Sequence, residues 1–161
     1  GFDPEAYVEA VNFSLANNVN PEEALVWSDY AINGVFVGQK NFQTLSTKAK
    51  VLNKLNRKAE ADALMKEAMP MASMTDLHQY ARQLLRDKKN AEALEAFKMN
   101  GQKYPNVFTT NMGLMRGYSA NGDYANALKY VKAAQKQAPD AANKSAIENF
   151  IKMLSEGKDI N

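Results

Sequence analysis

The 161-residue sequence contains no cysteine and only one histidine, His78. Without cysteine there is no disulfide, thiolate metal ligand or cysteine nucleophile, and a single histidine excludes a metal centre with several histidine ligands. No apolar run approaches the roughly 20 residues that span a bilayer, and no signal peptide is recognisable. With 45% apolar and 24% charged residues, the chain can nevertheless form an ordinary hydrophobic core.

Motifs that carry chemistry are also missing from the sequence. It has no glycine-rich phosphate loop, nucleophile elbow or zinc-protease motif. We therefore expect no catalytic residues, no metal and no cofactor. The net charge of +2 is unevenly distributed, since residues 1–40 contain six acidic residues and one basic residue. The mild basic excess of the remaining residues is too weak to indicate nucleic acid, but it could attract an acidic protein partner.

The second half of the chain contains an internal repeat. Residues 90–106 align without a gap on residues 124–140, a shift of 34 residues. In this alignment Ala91, Ala93, Leu94 and Pro105 match Ala125, Ala127, Leu128 and Pro139. A period of this length predicts units of two antiparallel helices, in which a proline ends the second helix.

The same apolar pattern extends, less regularly, to the start of the chain. It predicts helix pairs over about residues 5–38, 42–73, 74–107 and 108–139. A ninth helix is expected over about 140–156, where Ile147, Phe150, Ile151 and Leu154 form one stripe. Such a helix would cover the apolar face of the last repeat.

Leu114, Tyr118, Gly122, Ala127 and Pro139 resemble the consensus of the tetratricopeptide repeat family. The resemblance implies an all-α fold, in which four helix pairs form a right-handed superhelix closed by a C-terminal capping helix. It also implies binding of a protein or peptide without catalysis. The family usually has a small residue where this chain has Asn100.

A narrower resemblance involves residues 32–45. This stretch is similar to the helical C-terminal half of an uncharacterised bacterial family whose N-terminal domain is β-rich and of unknown function. The resemblance implies that the chain is a fragment of a longer protein, and it favours an exported or cell-envelope location over an otherwise undetermined one.

In the tetratricopeptide family, fixed positions of each first helix line a concave groove. Carried over to this chain, the basic part of that groove consists of Lys50, Asn53, Lys54, His78, Arg82, Arg86 and Arg116. His78, Arg82 and Arg86 are four residues apart, so they share one helix face. The cations predict a site for an acidic segment or a carboxylate terminus. Alternatively, they form an ordinary solvated face.

The segment Val35, Phe36 and Val37 is apolar although it lies in a predicted connection between two glycines. Either it packs over the junction of the first two repeats, or it contacts a neighbouring domain. The second possibility leads to a different function for the whole chain, that of a structural appendage which packs on or dimerises a β-rich domain.

Overall fold

The computed structural model describes residues 3–35 and 38–161. All regular structure in these residues is helical, which confirms the all-α class. The chain divides into two compact units, Gly1–Ala72 and Ser73–Asn161. Phe36 and Val37, two of the predicted interdomain residues, lie outside the described residues.

The first unit consists of four α-helices and a short 3-10 turn. The helices are α1 (Pro4–Ala16), α2 (Pro21–Asn33), α3 (Phe42–Lys54) and α4 (Lys58–Ala68), and the turn follows at Met69–Met71. Proline begins α1 and α2, where its missing N–H costs no hydrogen bond. The helices pack in pairs, α1 on α2 and α3 on α4, and α3 also contacts α1 and α2.

The core of the first unit is built from small and β-branched side chains. Val11, Ala24 and Val51 are fully buried in one cluster, and Ala49, Leu52 and Ala61 form a second. Because alanine brings helix backbones close together, these clusters fix the spacing between neighbouring helices. α3 begins with a reciprocal cap, in which Asn41 and Thr44 each accept a hydrogen bond from the other's backbone N–H.

The second unit contains α5 (Met74–Arg86), α6 (Asn90–Lys103), α7 (Phe108–Ala120), α8 (Tyr124–Gln135) and α9 (Ala141–Ser155). Each helix packs on the next one, and α5 also contacts α7. α5 and α7 begin at Met74 and Phe108, which are 34 residues apart, in agreement with the period of the sequence. The predicted C-terminal helix is present, and its Ile147 and Leu154 are buried against α8 and α7.

Two glycines one helical turn apart let α6 approach the backbone of α7 closely. A Cβ atom on Gly113 would lie 2.5 Å from Cδ1 of Phe97, and one on Gly117 would lie 3.0 Å from Cδ2 of the same ring. Any larger residue would therefore collide with Phe97, whose side chain is only 1% exposed. The two glycines thus serve helix packing within the second unit.

Asn100 occupies its buried position through a hydrogen bond. Its side chain is 1% exposed, and its Nδ2 donates to the backbone oxygen of Met74 in the first turn of α5, at 3.0 Å. An alanine would fit the site sterically but would not make this contact. The asparagine therefore replaces the usual small residue without separating α5 from α6.

Candidate functional site

The basic face of α5 follows from the way this helix begins and packs. A reciprocal cap between Ser73 and Asp76 begins the helix, and Leu77, Ala81 and Leu84 bury its apolar side. His78 lies beside this buried side and is half-buried, whereas Arg82 and Arg86 are exposed. The four-residue spacing therefore places the three basic residues in one row, as the sequence predicts.

The ring of His78 is held between α6 and α7. It packs edge-on against Phe97, with the ring centroids 5.7 Å apart, and a Cβ atom on Gly113 would lie 3.3 Å from its Nδ1. That Nδ1 is buried and has no hydrogen-bond partner among the described residues. Burial, and then the positive charges of Arg82 and Arg116, lower the pKa of His78 from 6.5 to about 4.

The protonation state of His78 at neutral pH follows from these contacts. With a pKa of about 4 the ring is neutral at pH 7 and carries one proton. A proton on Nδ1 would be a buried donor with nothing to accept it, so we assign the proton to Nε2. Nε2 is then a hydrogen-bond donor that adds no charge to the site.

Arg116 reaches the same place from α7. Its guanidinium lies over the ring of Phe150 on α9, with its central carbon 5.5 Å from the ring centroid. Burial, and then the charge of Arg82, lower the pKa of Arg116 to about 10, so the group remains a cation at pH 7. Phe150 is a contact that the sequence analysis did not predict, because it depends on how α9 packs.

His78, Arg82 and Arg116 form what we call the anchor cluster. Among the described residues of the second unit, no carboxylate pairs with the guanidinium of Arg82 or Arg116, whereas Lys98 pairs with Glu95 and Lys158 with Glu156. Two positive charges that repel each other are thus held together without neutralisation, one of them partly buried. Such an arrangement costs free energy that a bound anion would recover.

Arg86 lies one turn beyond Arg82 on α5 and has a different environment. Its Nε and Nη2 donate to Oε1 of Gln83, at 3.2 and 2.8 Å. Gln83 also donates to Asp87, so Arg86 belongs to a local network on its own helix. It can extend the basic surface next to the anchor cluster, but the structure shows no influence of its charge on His78.

The remaining predicted groove residues belong to the first unit. Lys50, Asn53 and Lys54 lie on α3 and are exposed there. Val35, the one interdomain residue among those described, lies in a turn after α2 with 76% of its surface exposed. Neither set has a partner in the structure that would assign it a function.

The last residues of the chain fold back onto α7 beside Arg116. Oγ of Ser119 donates to Oδ1 of Asp159 at 2.6 Å and accepts a hydrogen bond from the N–H of Ile160 at 3.0 Å. Asn161 donates through Nδ2 to the backbone oxygen of Arg116, at 3.0 Å. These contacts hold the end of α7, and with it the backbone of Arg116, in place. They span about 40 residues of sequence, so no local pattern could have indicated them.

The pKa of His78 predicts a pH dependence of stability. The unfolded chain takes up a proton near pH 6.5 and the folded chain only near pH 4, so stability is lost as the pH falls through this range. Because the ring remains partly in water, we expect a loss of about 1–2 kcal/mol. The measurement is urea unfolding of the chain and of a His78→Gln variant at several pH values. A constant difference between the two from pH 7 to pH 4 would contradict the assignment.

The described residues contain no group of three or more metal-ligating side chains placed to hold an ion. Nor does any helix in this part of the chain have the length and apolar character required to cross a membrane. Comparison with family models, curated proteins and solved structures finds no match to this chain.

Proposed function

We propose that the chain is a tetratricopeptide-like scaffold that binds an acidic protein segment or a carboxylate terminus without catalysing a reaction. The observation that carries this proposal is the anchor cluster, in which Arg82 and Arg116 lie beside neutral His78 with no carboxylate partner in the described part of the second unit. The repeat reading is supported by the 34-residue offset between the starts of α5 and α7 and by the packing of α5 against α7.

A carboxylate is the ligand that suits this cluster best. Guanidinium groups bind carboxylates through two parallel N–H donors, and such charge-assisted hydrogen bonds are roughly twice as strong as neutral ones. Arg116 is already partly removed from water and ordered by its contact with Phe150, so binding immobilises little additional side chain. Nε2 of His78 supplies a further donor that a carboxylate oxygen can accept.

The test is a fluorescence-anisotropy titration with a labelled hexaglutamate peptide that ends in a free carboxylate. We expect an Arg82→Gln substitution to weaken binding about 10-fold, since one charged hydrogen-bond donor is lost. Arg82 is exposed, so the fold should be unaffected. Lys132→Gln, on exposed α8 surface of the same unit, is the matched control and should leave the affinity unchanged. Equal losses in both variants would indicate non-specific charge attraction and contradict the proposal.

The same titration with a C-terminally amidated peptide separates two forms of the ligand. If the cluster binds a chain terminus, amidation should reduce the affinity as much as Arg82→Gln does. If it binds acidic side chains, the amidated peptide should bind as well as the free one. Both forms should bind more weakly as salt is added, because exposed charges are screened.

One observation favours the second candidate function, a structural appendage. Val26, Tyr30 and Val35 of the first unit are 53%, 52% and 76% exposed, and Val26 and Tyr30 line a shallow depression of about 240 Å³ at the end of α2. Exposed apolar side chains grouped in this way are typical of protein contacts. Sedimentation velocity of the chain and of a Tyr30→Arg variant shows whether this surface causes self-association.

A further inference from the structure

A second cleft in the Ser73–Asn161 unit uses none of the anchor residues. It has a volume of about 480 Å³ and lies between α6 and α8, with Leu114 and Tyr118 of α7 as part of its lining. Gly101 of α6 also lines it, and a Cβ atom there would lie 2.9 Å from Cδ1 of Leu114. The close approach of α6 to Leu114 thus depends on the absence of a side chain at position 101.

One part of this α6–α8 cleft is cationic and aromatic. The rings of Tyr118 and Tyr130 are stacked, with centroids 5.7 Å apart and planes within 4°. Lys98 lies over the first ring at 5.8 Å and Lys129 over the second at 5.4 Å. Lys98 shares its charge with Glu95, but Lys129 has no carboxylate partner among the described residues of this unit. An anion in the cleft would therefore meet an ammonium group that the protein does not neutralise.

Another part of the cleft presents a fixed hydrogen-bond acceptor. Asn111 lines the cleft although its side chain is only 3% exposed. Its Nδ2 donates to Oδ1 of Asn106 at 3.1 Å and to Oε1 of Gln137 at 2.9 Å. Gln137 in turn donates to the backbone oxygen of Asn106 at 2.8 Å, which fixes the orientation of both amides. Both protons of Asn111 are thereby used, and its Oδ1 remains as an acceptor without a donor in the described structure.

We propose that the α6–α8 cleft binds an N-acylated acidic amino acid, either as a free small molecule or as one residue of a peptide. The carboxylate would contact Lys129 and Lys98, and the amide N–H would donate to Oδ1 of Asn111. The apolar surface of Leu114 and the tyrosine rings would cover the short hydrocarbon part. The proposal does not depend on the anchor cluster, so either site can fail its test without affecting the other.

The probe is N-acetyl-L-glutamate, titrated into the ¹⁵N-labelled chain and followed by two-dimensional amide NMR. We expect shifts of the amides of Gly101, Asn111 and Leu114 and, for a ligand of this size, a dissociation constant of roughly 1 mM. Lys129→Gln should weaken binding at least about 5-fold, and the matched control Lys132→Gln, which removes an exposed charge from the same helix, should not. Equal affinities of the two variants, or shifts confined to α5, would overturn the proposal.

Two further probes test the ligand chemistry. Glutarate keeps both carboxylates but has no N–H, so it should bind at least about 3-fold more weakly than N-acetyl-L-glutamate. N-acetylglutamine amide keeps the N–H groups but has no charge, so it should cause no shifts at the cleft. Glutarate that binds as tightly as N-acetyl-L-glutamate would remove the role of Asn111 and overturn the assignment. A glycine-flanked glutamate peptide with blocked ends distinguishes the sources, since only a peptide site would bind it more tightly than the small molecule.

Discussion

Replacing Phe97 with alanine is expected to lower the free energy of unfolding of the second unit by about 3–5 kcal/mol. The ring is 1% exposed and lies against the two glycines of α7, where no other side chain can move in to fill the space. The loss therefore combines the transfer of a buried ring to water with a cavity that the rigid α6–α7 contact cannot close. Urea unfolding followed by circular dichroism measures the effect.

The control for this substitution is Met99→Ala on the same helix. Met99 is 43% exposed, so its truncation should cost less than about 1 kcal/mol. A second consequence of Phe97→Ala is local, because the ring that covers one side of His78 disappears. The pKa of His78 should then rise from about 4 towards its ordinary value. Similar stabilities of the two alanine variants would mean that Phe97 does not hold α6 against α7.

Changing Arg82 and Arg116 together to glutamate is expected to weaken binding of the hexaglutamate peptide more than about 100-fold. The substitution removes two guanidinium donors and places two negative charges where the ligand's charge must lie. It should also raise the pKa of His78 well above 4 in the absence of any ligand, since repulsion by two cations becomes attraction by two anions. Burial still opposes protonation of the ring, because it is the largest cause of the low pKa.

Both effects of the double reversal can be measured independently. His78 is the only histidine, so its ring resonance in a proton NMR titration needs no assignment. Arg116 is partly buried, and Arg82→Glu alone is therefore included as a variant whose exposed site does not endanger folding. The matched control is Lys132→Glu with Lys136→Glu, two exposed positions that give the same change in net charge. If the control pair weakens peptide binding equally, the anchor cluster is not the binding site.

The helices themselves could be predicted from the sequence because the signals that define them are local. Apolar residues at helical spacing, prolines at the first position and capping side chains such as Ser73 and Asp140 act within a few residues of each other. The 34-residue shift located α6 and α8 for the same reason, since both hairpins contain the same short-range pattern. Asn100 shows the limit of that approach, because its hydrogen bond to Met74 depends on contact between two helices.

The candidate sites could be predicted only in part. The sequence placed His78, Arg82 and Arg86 in one row, since a four-residue spacing is fixed by helix geometry. It could not distinguish Arg82 from Arg86, because that difference lies in which groups each guanidinium meets. The α6–α8 cleft was missed altogether, as Lys98, Tyr118 and Lys129 come from three helices and share no spacing.

The sequence by itself determined that this protein is all-α, where its helices lie and which faces carry charge. Only the tertiary structure decided that Arg82 and Arg116 meet beside His78, that Arg116 rests on Phe150, and that no carboxylate of the same unit neutralises them. The physical reason is one of range. Helix formation depends on interactions within about one turn, whereas burial, pKa and charge pairing depend on residues that become neighbours only after the chain has folded.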